Sequence, residues 1–270
     1  MMTFYRSCIA ALIALSASTA AVAQDVTVMI SGGFRAALEK LAPAYEAKSG
    51  DRIVLVSGPS MGKTPQAIPN RLARGEHADV TIMVGSALEQ LERDRLVAAG
   101  SRVELADSPI GVVVKKGAPV PSIGTDAELR QTLLAASTIA YSDSASGRYV
   151  ETQLFKKLGI VQQAGAKAQK AQKVERIPVA EEVAKGKYAL GFQQVSELLP
   201  VPGVTFVGRL PDNLQYITRF AGAVTQRADH PARAKALLAY LSSAQAQAVI
   251  ISTGLQPVRA QRPQTADTAR

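Results

Sequence analysis

Thiol, indole and imidazole chemistry are nearly absent from this chain. Its 270 residues hold one cysteine, two histidines and no tryptophan, and aromatics make up 5%. Cys8 lies in the opening stretch MMTFYRSCIAALIALSASTAAVAQ. There a basic residue (Arg6), an apolar run from Cys8 to Leu15 and small residues ending Ala21-Val22-Ala23 follow the order of a secretory leader. The run is too short to span a bilayer, and Cys8 lacks the small-residue context of a lipoprotein cleavage site. The expectation is a signal peptide over residues 1–23, cleaved near Ala23, and a mature protein working in the periplasm. Without Cys8 the mature chain can form no disulfide, no zinc–thiolate site and no cysteine nucleophile. Nor does any later stretch approach the roughly 20 apolar residues of a membrane helix.

The histidines add little. His77 sits in a Gly-Glu-His-Ala-Asp turn before a strand, and His230 precedes Pro231 at a helix start. A Ser-His-Asp triad is therefore disfavoured, and a transition-metal site more so. Any acid–base chemistry falls to lysine, tyrosine or a carboxylate. No metal and no cofactor is expected.

What the chain does have is positive charge. The formal net charge is +9, and removal of Arg6 with the leader makes it +8. The bases are dispersed, apart from Lys167, Lys170, Lys173 and Arg176. With few aromatics to stack on bases, a nucleic-acid partner is not expected. A positive field that draws a small anion into a cleft fits better.

Hydrophobic patterning gives an alternation of strands and helices. Strand 26–30 is followed by apolar residues at helical spacing (Phe34, Ala37, Leu38, Leu41, Tyr45) up to Gly50. Strand 53–56, a helical segment ending near Gly75, strand 79–84 and helix 86–96 come next. Strands 102–106 and 110–115, helix 125–134, strand 138–142 and helix 147–158 continue the pattern. The alanine-, glutamine- and lysine-rich stretch 161–176 reads as a solvated surface helix. Strands 188–193, 204–207 and 216–225 precede two helices over 230–242 and 243–252. The polar tail from Arg259 is expected to be disordered. Such alternation argues for βαβ units and an α/β class.

Three loops share one design, in which a strand ends, glycine and serine follow, and a helix begins. They are Ser31-Gly32-Gly33, Ser57 to Thr64, and Ser142-Asp143-Ser144-Ala145-Ser146-Gly147. Glycine admits a ligand to the backbone, and helix N-terminal amides with serine hydroxyls form an anion seat. Three of them at strand C-termini, where α/β sheets bind ligands, favour a shared anion site over three ordinary caps. Gly58 to Thr64 contains Gly-Lys-Thr, but position 57 is serine where a P-loop needs glycine, so nucleotide hydrolysis is excluded. Lys63 and Tyr149, in or beside these loops, could move a proton. Arg148 could hold a carboxylate bidentately.

The order of segments resembles periplasmic solute-binding proteins of the molybdate-binding type. The matching stretches are Val26 to Phe34, Arg71-Leu72-Ala73-Arg74-Gly75 running into Ala78-Asp79-Val80-Thr81-Ile82, Leu190-Gly191-Phe192, and Thr253-Gly254-Leu255. The resemblance implies a two-lobe, type II periplasmic-binding-protein-like α/β fold, each lobe a mostly parallel sheet flanked by helices. Lobe one would take 24–106 plus 218–257, lobe two 107–217, and 258–270 the disordered tail. Molybdate binders seat their oxyanion with two serines and a tyrosine. On this chain Ser60 keeps one serine, the other position falls on Gly33 with Ser31 two residues earlier, and the tyrosine position falls on Gln194. That departure implies a pocket for something larger than a tetrahedral oxyanion.

A narrower resemblance is to the branch of this family that includes aconitate isomerase. It is carried by Ser31-Gly32-Gly33-Phe34, Gly58-Pro59-Ser60-Met61-Gly62, Tyr141 to Gly147, and Gly191-Phe192-Gln193-Gln194-Val195-Ser196-Glu197. It implies cofactor-independent isomerisation of trans- and cis-aconitate by allylic proton transfer. Ser31, Ser60, Ser144 and Ser146 would hold carboxylates together with the backbone at Gly32, Gly33 and Met61, and Arg148 would pair with one of them. Gln194 would orient the substrate, and Lys63 or Tyr149 would move the proton. The alternative is a binding protein that hands a small anion, oxyanion or organic acid, to an inner-membrane ABC permease.

Overall fold

The computed structural model describes residues 23–166, 171–174 and 178–258. The leader expected over 1–23 lies outside the described residues apart from Ala23, and the tail expected over 258–270 apart from Val258. Of the basic cluster near 170, only Lys173 is described.

The chain enters through β1 (Asp25–Ile30), which leads into α1 (Gly32–Ser49). Alternation along β1 explains its burial on both faces. Val26, Val28 and Ile30 join one apolar cluster with Phe34, Leu38 and Leu41 of α1, while Met29 faces a second cluster with Ile68, Met83 and Leu88. α1 ends at Gly50, whose φ of 75° supplies the left-handed C-cap. β2 (Arg52–Ser57), α2 (Ile68–Ala73), β3 (Val80–Val84), α3 (Gly85–Arg93) and β4 (Val103–Ser108) follow.

Only Pro109 separates β4 from β5 (Ile110–Lys115), which belongs to a different sheet. The second lobe continues with α4 (Asp126–Ala135), β6 (Ile139–Ser142) and α5 (Ala145–Tyr149). A π-helical turn over Val150–Leu154 joins α5 to α6 (Phe155–Lys157). Then come α7 (Val161–Ala166), β7 (Ala171–Val174), α8 (Val179–Ala184), β8 (Leu190–Gln194), α9 (Val195–Leu198) and β9 (Val204–Arg209). The chain returns to the first sheet as β10 (Thr218–Val224) and closes with α10 (Pro231–Leu241) and α11 (Ala244–Ser252).

The result is two lobes, each a five-stranded sheet flanked by helices, in the orders β2-β1-β3-β10-β4 and β7-β6-β8-β5-β9. The sheets are mixed rather than mostly parallel. β1 pairs parallel with β2 and β3, and β6 with β7 and β8, but β10 and β5 run antiparallel to both of their neighbours. β5 opens the second sheet just after the first crossing and β10 rejoins the first sheet just after the second. Strand–helix periodicity carries no record of those reversals.

A second departure is the stretch expected as a surface helix over 161–176. Among the described residues of this stretch, Val161–Ala166 is helix and Ala171–Val174 forms an edge strand parallel to β6. An exposed edge strand bearing Gln172 and Lys173 has the same polar composition as a solvated helix. The free edge of β6, which is distant in sequence, decides between them. Helix α8 leaves no periodic signal in the sequence: its four buried residues, Val179, Ala180, Glu182 and Val183, form too short a stretch.

Gln215 ties the two crossings together. Its side-chain Oε1 accepts the Ile110 N–H at 2.7 Å, and its Nε2 donates to the Ile110 carbonyl at 3.0 Å. Next to it, Tyr216 packs on the main core cluster of each lobe.

Candidate functional site

The strand-to-helix junctions of both lobes meet between the sheets. On the first lobe, Ser31 is the N-cap of α1, its backbone N–H bonded to the Ile82 carbonyl at 3.0 Å. Two residues further along β3, the Val84 N–H donates to Ser60 Oγ at 3.0 Å. Ser31 and Ser60 therefore flank the end of β3. Ser60 accepts in that bond, so its hydroxyl proton remains free to donate to a ligand.

The second lobe presents its own hydroxyl cluster. Ser142, Ser144 and Ser146 lie in mutual hydrogen-bond range, at 2.7 Å (142–144), 3.2 Å (142–146) and 3.1 Å (144–146). This tight turn requires glycine at 147, because a Cβ there would lie 1.6 Å from the Ser142 carbonyl oxygen. The following α5 and π-helical turn carry Arg148, Tyr149, Thr152 and Gln153 onto the wall of a cavity of about 140 Å³. Met61 and Ser86 from the first lobe, Ala145, and Tyr216 from the return crossing complete that wall. Met61 directly follows Ser60, and Ser86 lies two residues beyond Val84, so the cavity wall draws on the same loop and the same strand end as the Ser60–Val84 hydrogen bond. π-turns occur often at functional sites.

The lobes touch over the first turn of α1. Ser196 Oγ, on α9, donates to the Gly33 carbonyl at 2.7 Å. The side chains of Gln194 and Glu197 stand three residues apart and meet successive glycines. A Cβ on Gly33 would lie 1.9 Å from Gln194 Oε1 and 2.4 Å from the Phe220 ring, and one on Gly32 would lie 2.1 Å from Glu197 Oε1. Among the described residues, three polar atoms here are shielded from solvent and lack a hydrogen-bond partner: Ser31 Oγ, Gln194 Oε1 and Glu197 Oε2. Ser31 is 6% and Gln194 2% exposed. Buried polar groups are normally satisfied, which makes these three the candidates for contact with a ligand. Burial pushes the Glu197 carboxyl up from its ordinary 4.5 to about 7; Gln193 opposes the shift and Asp143 adds to it.

The structure thus gathers most of the residues expected at the site, with two differences of placement. Lys63 is exposed in the loop after β2 and does not line the cavity. Tyr149 lines it, but its hydroxyl is engaged elsewhere, donating to the Leu214 carbonyl at 2.6 Å and accepting from Lys157 Nζ at 3.3 Å. Its ring also stacks on Tyr216, with centroids 5.1 Å apart. Arg148 is exposed at the cavity and forms no ion pair among the described residues. His77 pairs with Asp79 and Asp229, just before β3 at the end away from Ser31 and Ser60. No three His, Cys, Asp or Glu side chains gather into a metal-binding group among the described residues.

Sequence reasoning overlooked Ser86, Thr152, Gln153, Tyr216 and Glu197. Val84-Gly85-Ser86 is a fourth strand–glycine–serine–helix junction and could have been found by that rule. Glu197 follows Gln194 at the i, i+3 spacing of a helix face. Thr152, Gln153 and Tyr216 carry no local signal.

The family profile described as bacterial extracellular solute-binding protein matches residues 26–256. The chain belongs to this family. This solute-binding protein is 47% identical over 236 residues to aconitate isomerase from Pseudomonas sp, covering 87% of this chain and 89% of that protein. It is 27% identical over 242 residues to the molybdate-binding protein ModA of Azotobacter vinelandii, covering 87% and 91%. The solved periplasmic molybdate-binding protein of Azotobacter vinelandii superposes with a TM-score of 0.70 at 20% identity, over 87% of this chain and all of that one. The sulfate-binding protein SubI of Mycobacterium tuberculosis does so at 0.69 and 17% identity, over 87% of each chain.

Proposed function

We propose that this protein is an exported, cofactor-independent isomerase that interconverts trans- and cis-aconitate by allylic proton transfer in the cleft between its lobes. The observation that carries this reading is the 47% identity to aconitate isomerase along nearly the whole of both chains. The cleft supports it. A tricarboxylate needs several separate carboxylate seats, and the interlobe surface offers the α1 N-terminus with Ser31, Gly32 and Gly33, the Ser60–Met61 loop, and Ser144, Ser146 and Arg148. Gln194 stands where it can orient a bound acid. A substrate fixed in this way is held ready for a short proton transfer. The leader-like N-terminal sequence supports export to the periplasm.

Proton NMR of the purified protein with trans-aconitate is the test. Vinyl and methylene signals of cis-aconitate should appear at a rate proportional to protein concentration. Their absence across a broad pH range rejects the isomerase. The protein would then be read, by its likeness to molybdate- and sulfate-binding proteins, as the receptor of a membrane permease. A thermal-shift screen against molybdate, sulfate and organic acids would identify its anion.

A further inference from the structure

The residues expected to move the proton are poorly placed for it. Lys63 is exposed to solvent in the loop after β2, the Tyr149 hydroxyl is held by Leu214 and Lys157, and both histidines lie at the far end of β3. We infer that the Glu197 carboxyl removes and returns the allylic proton, an assignment that rests on the isomerase reading above.

The geometry supports this at three points. Glu197 projects from the second lobe onto Gly32, in the first turn of α1, where the first lobe offers its amides to an anion. Among the described residues its Oε2 has neither solvent nor a hydrogen-bond partner, although Gln193 bonds the carboxyl, and Ser31 Oγ and Gln194 Oε1 are equally unsatisfied. Gly32 has no side chain to separate the carboxyl from a ligand at that helix end. The positive end of an 18-residue helix is also where charge developing on the substrate would be stabilised.

The chemistry balances without a co-reactant. Ionised Glu197 takes a proton from the methylene carbon next to the double bond. The electron pair of the broken C–H bond spreads over the allylic carbons and the adjoining carboxylate. Neutral Glu197 returns the proton to the other end of the allylic system, forming a new C–H bond as the double bond shifts. Burial supports the role, because a carboxyl raised to about 7 is a stronger base than an exposed one and still ionises near neutral pH. Asp143 on the loop after β6 is the charged group that faces it, and Gln193 at the end of β8 the polar one.

The experiment compares wild type with Glu197→Gln and Glu197→Asp on trans-aconitate. Expected are a fall in kcat of about 10²–10⁴-fold for the glutamine variant with KM little changed, and partial rescue by aspartate. In wild type, kcat/KM should climb as pH rises through about 7. No turnover by wild type removes the isomerase reading and this assignment with it. Active wild type beside a folded, fully active Glu197→Gln overturns the assignment alone. So does a change in KM without a change in kcat, which marks a closure contact. Should Glu197→Gln fail to fold, the wild-type pH profile decides: a flat profile between about pH 5 and about pH 9 overturns the assignment.

Discussion

At the scale of single residues, the site is shaped as much by missing side chains as by those present. Gly33 leaves room for Gln194 and for the Phe220 ring, which is 1% exposed. Gly33→Ala should therefore overpack the Phe220 ring and the Gln194 side chain, at a cost of about 1–3 kcal/mol. A melting curve should show a drop of several degrees together with weaker ligand binding; an unchanged melting temperature would mean that the first turn of α1 yields freely. Arg148 represents the opposite case. It forms no ion pair among the described residues, so Arg148→Ala should leave the melting temperature unchanged. Loss of a charge-assisted bond to a substrate carboxylate, about 1.5–3 kcal/mol, should weaken KM or Kd by about 10–100-fold. Unchanged affinity for aconitate would remove Arg148 from the binding site.

At the scale of elements, local sequence rules worked wherever an element is buried by its own pattern. Strand β1 with α1 is legible because alternate apolar residues and then helical spacing each point to one answer. The same holds for the serine–glycine junctions, whose chemistry is contained in a few consecutive residues. β7 was not legible because its only strong determinant is the open edge of β6. The crossings are likewise a tertiary matter. Gln215 joins the second crossing to Ile110 on the first through two side-chain hydrogen bonds, and nothing in a Leu-Gln-Tyr sequence announces that. Gln215→Ala should cost about 1–3 kcal/mol, since the Ile110 amide and carbonyl lose this partner. At about 2–4 °C per kcal/mol for a protein of this size, differential scanning calorimetry would resolve the loss. A shift below one degree would show that the crossings are held by packing alone.

At the scale of the whole molecule, the decisive feature is the contact between lobes. The Ser196–Gly33 hydrogen bond spans it, and Ser196 is 1% exposed. Ser196→Ala should shift the balance from closed to open by about 1 kcal/mol, roughly fivefold. Small-angle scattering of the ligand-free variant should give a larger radius of gyration than wild type, with ligand restoring the compact form. Identical scattering curves would show that the bond contributes nothing to closure.

By itself the sequence determined the α/β class, the order of most elements and the serine–glycine junctions between strands and helices, because each depends on a few neighbouring residues. Only the tertiary structure decided that the sheets are mixed, that 171–174 is a strand, that the Tyr149 hydroxyl is already occupied, and that Gln194 and Glu197 close over the first turn of α1. Those outcomes depend on contacts between segments far apart in the chain: Glu197 meets Gly32, Tyr149 bonds Leu214, and β7 lies along β6. A carboxyl on a short helix reads from sequence as a solvated surface group. Its packing against Gly32 of the other lobe turns it inward, and burial pushes it up to about 7.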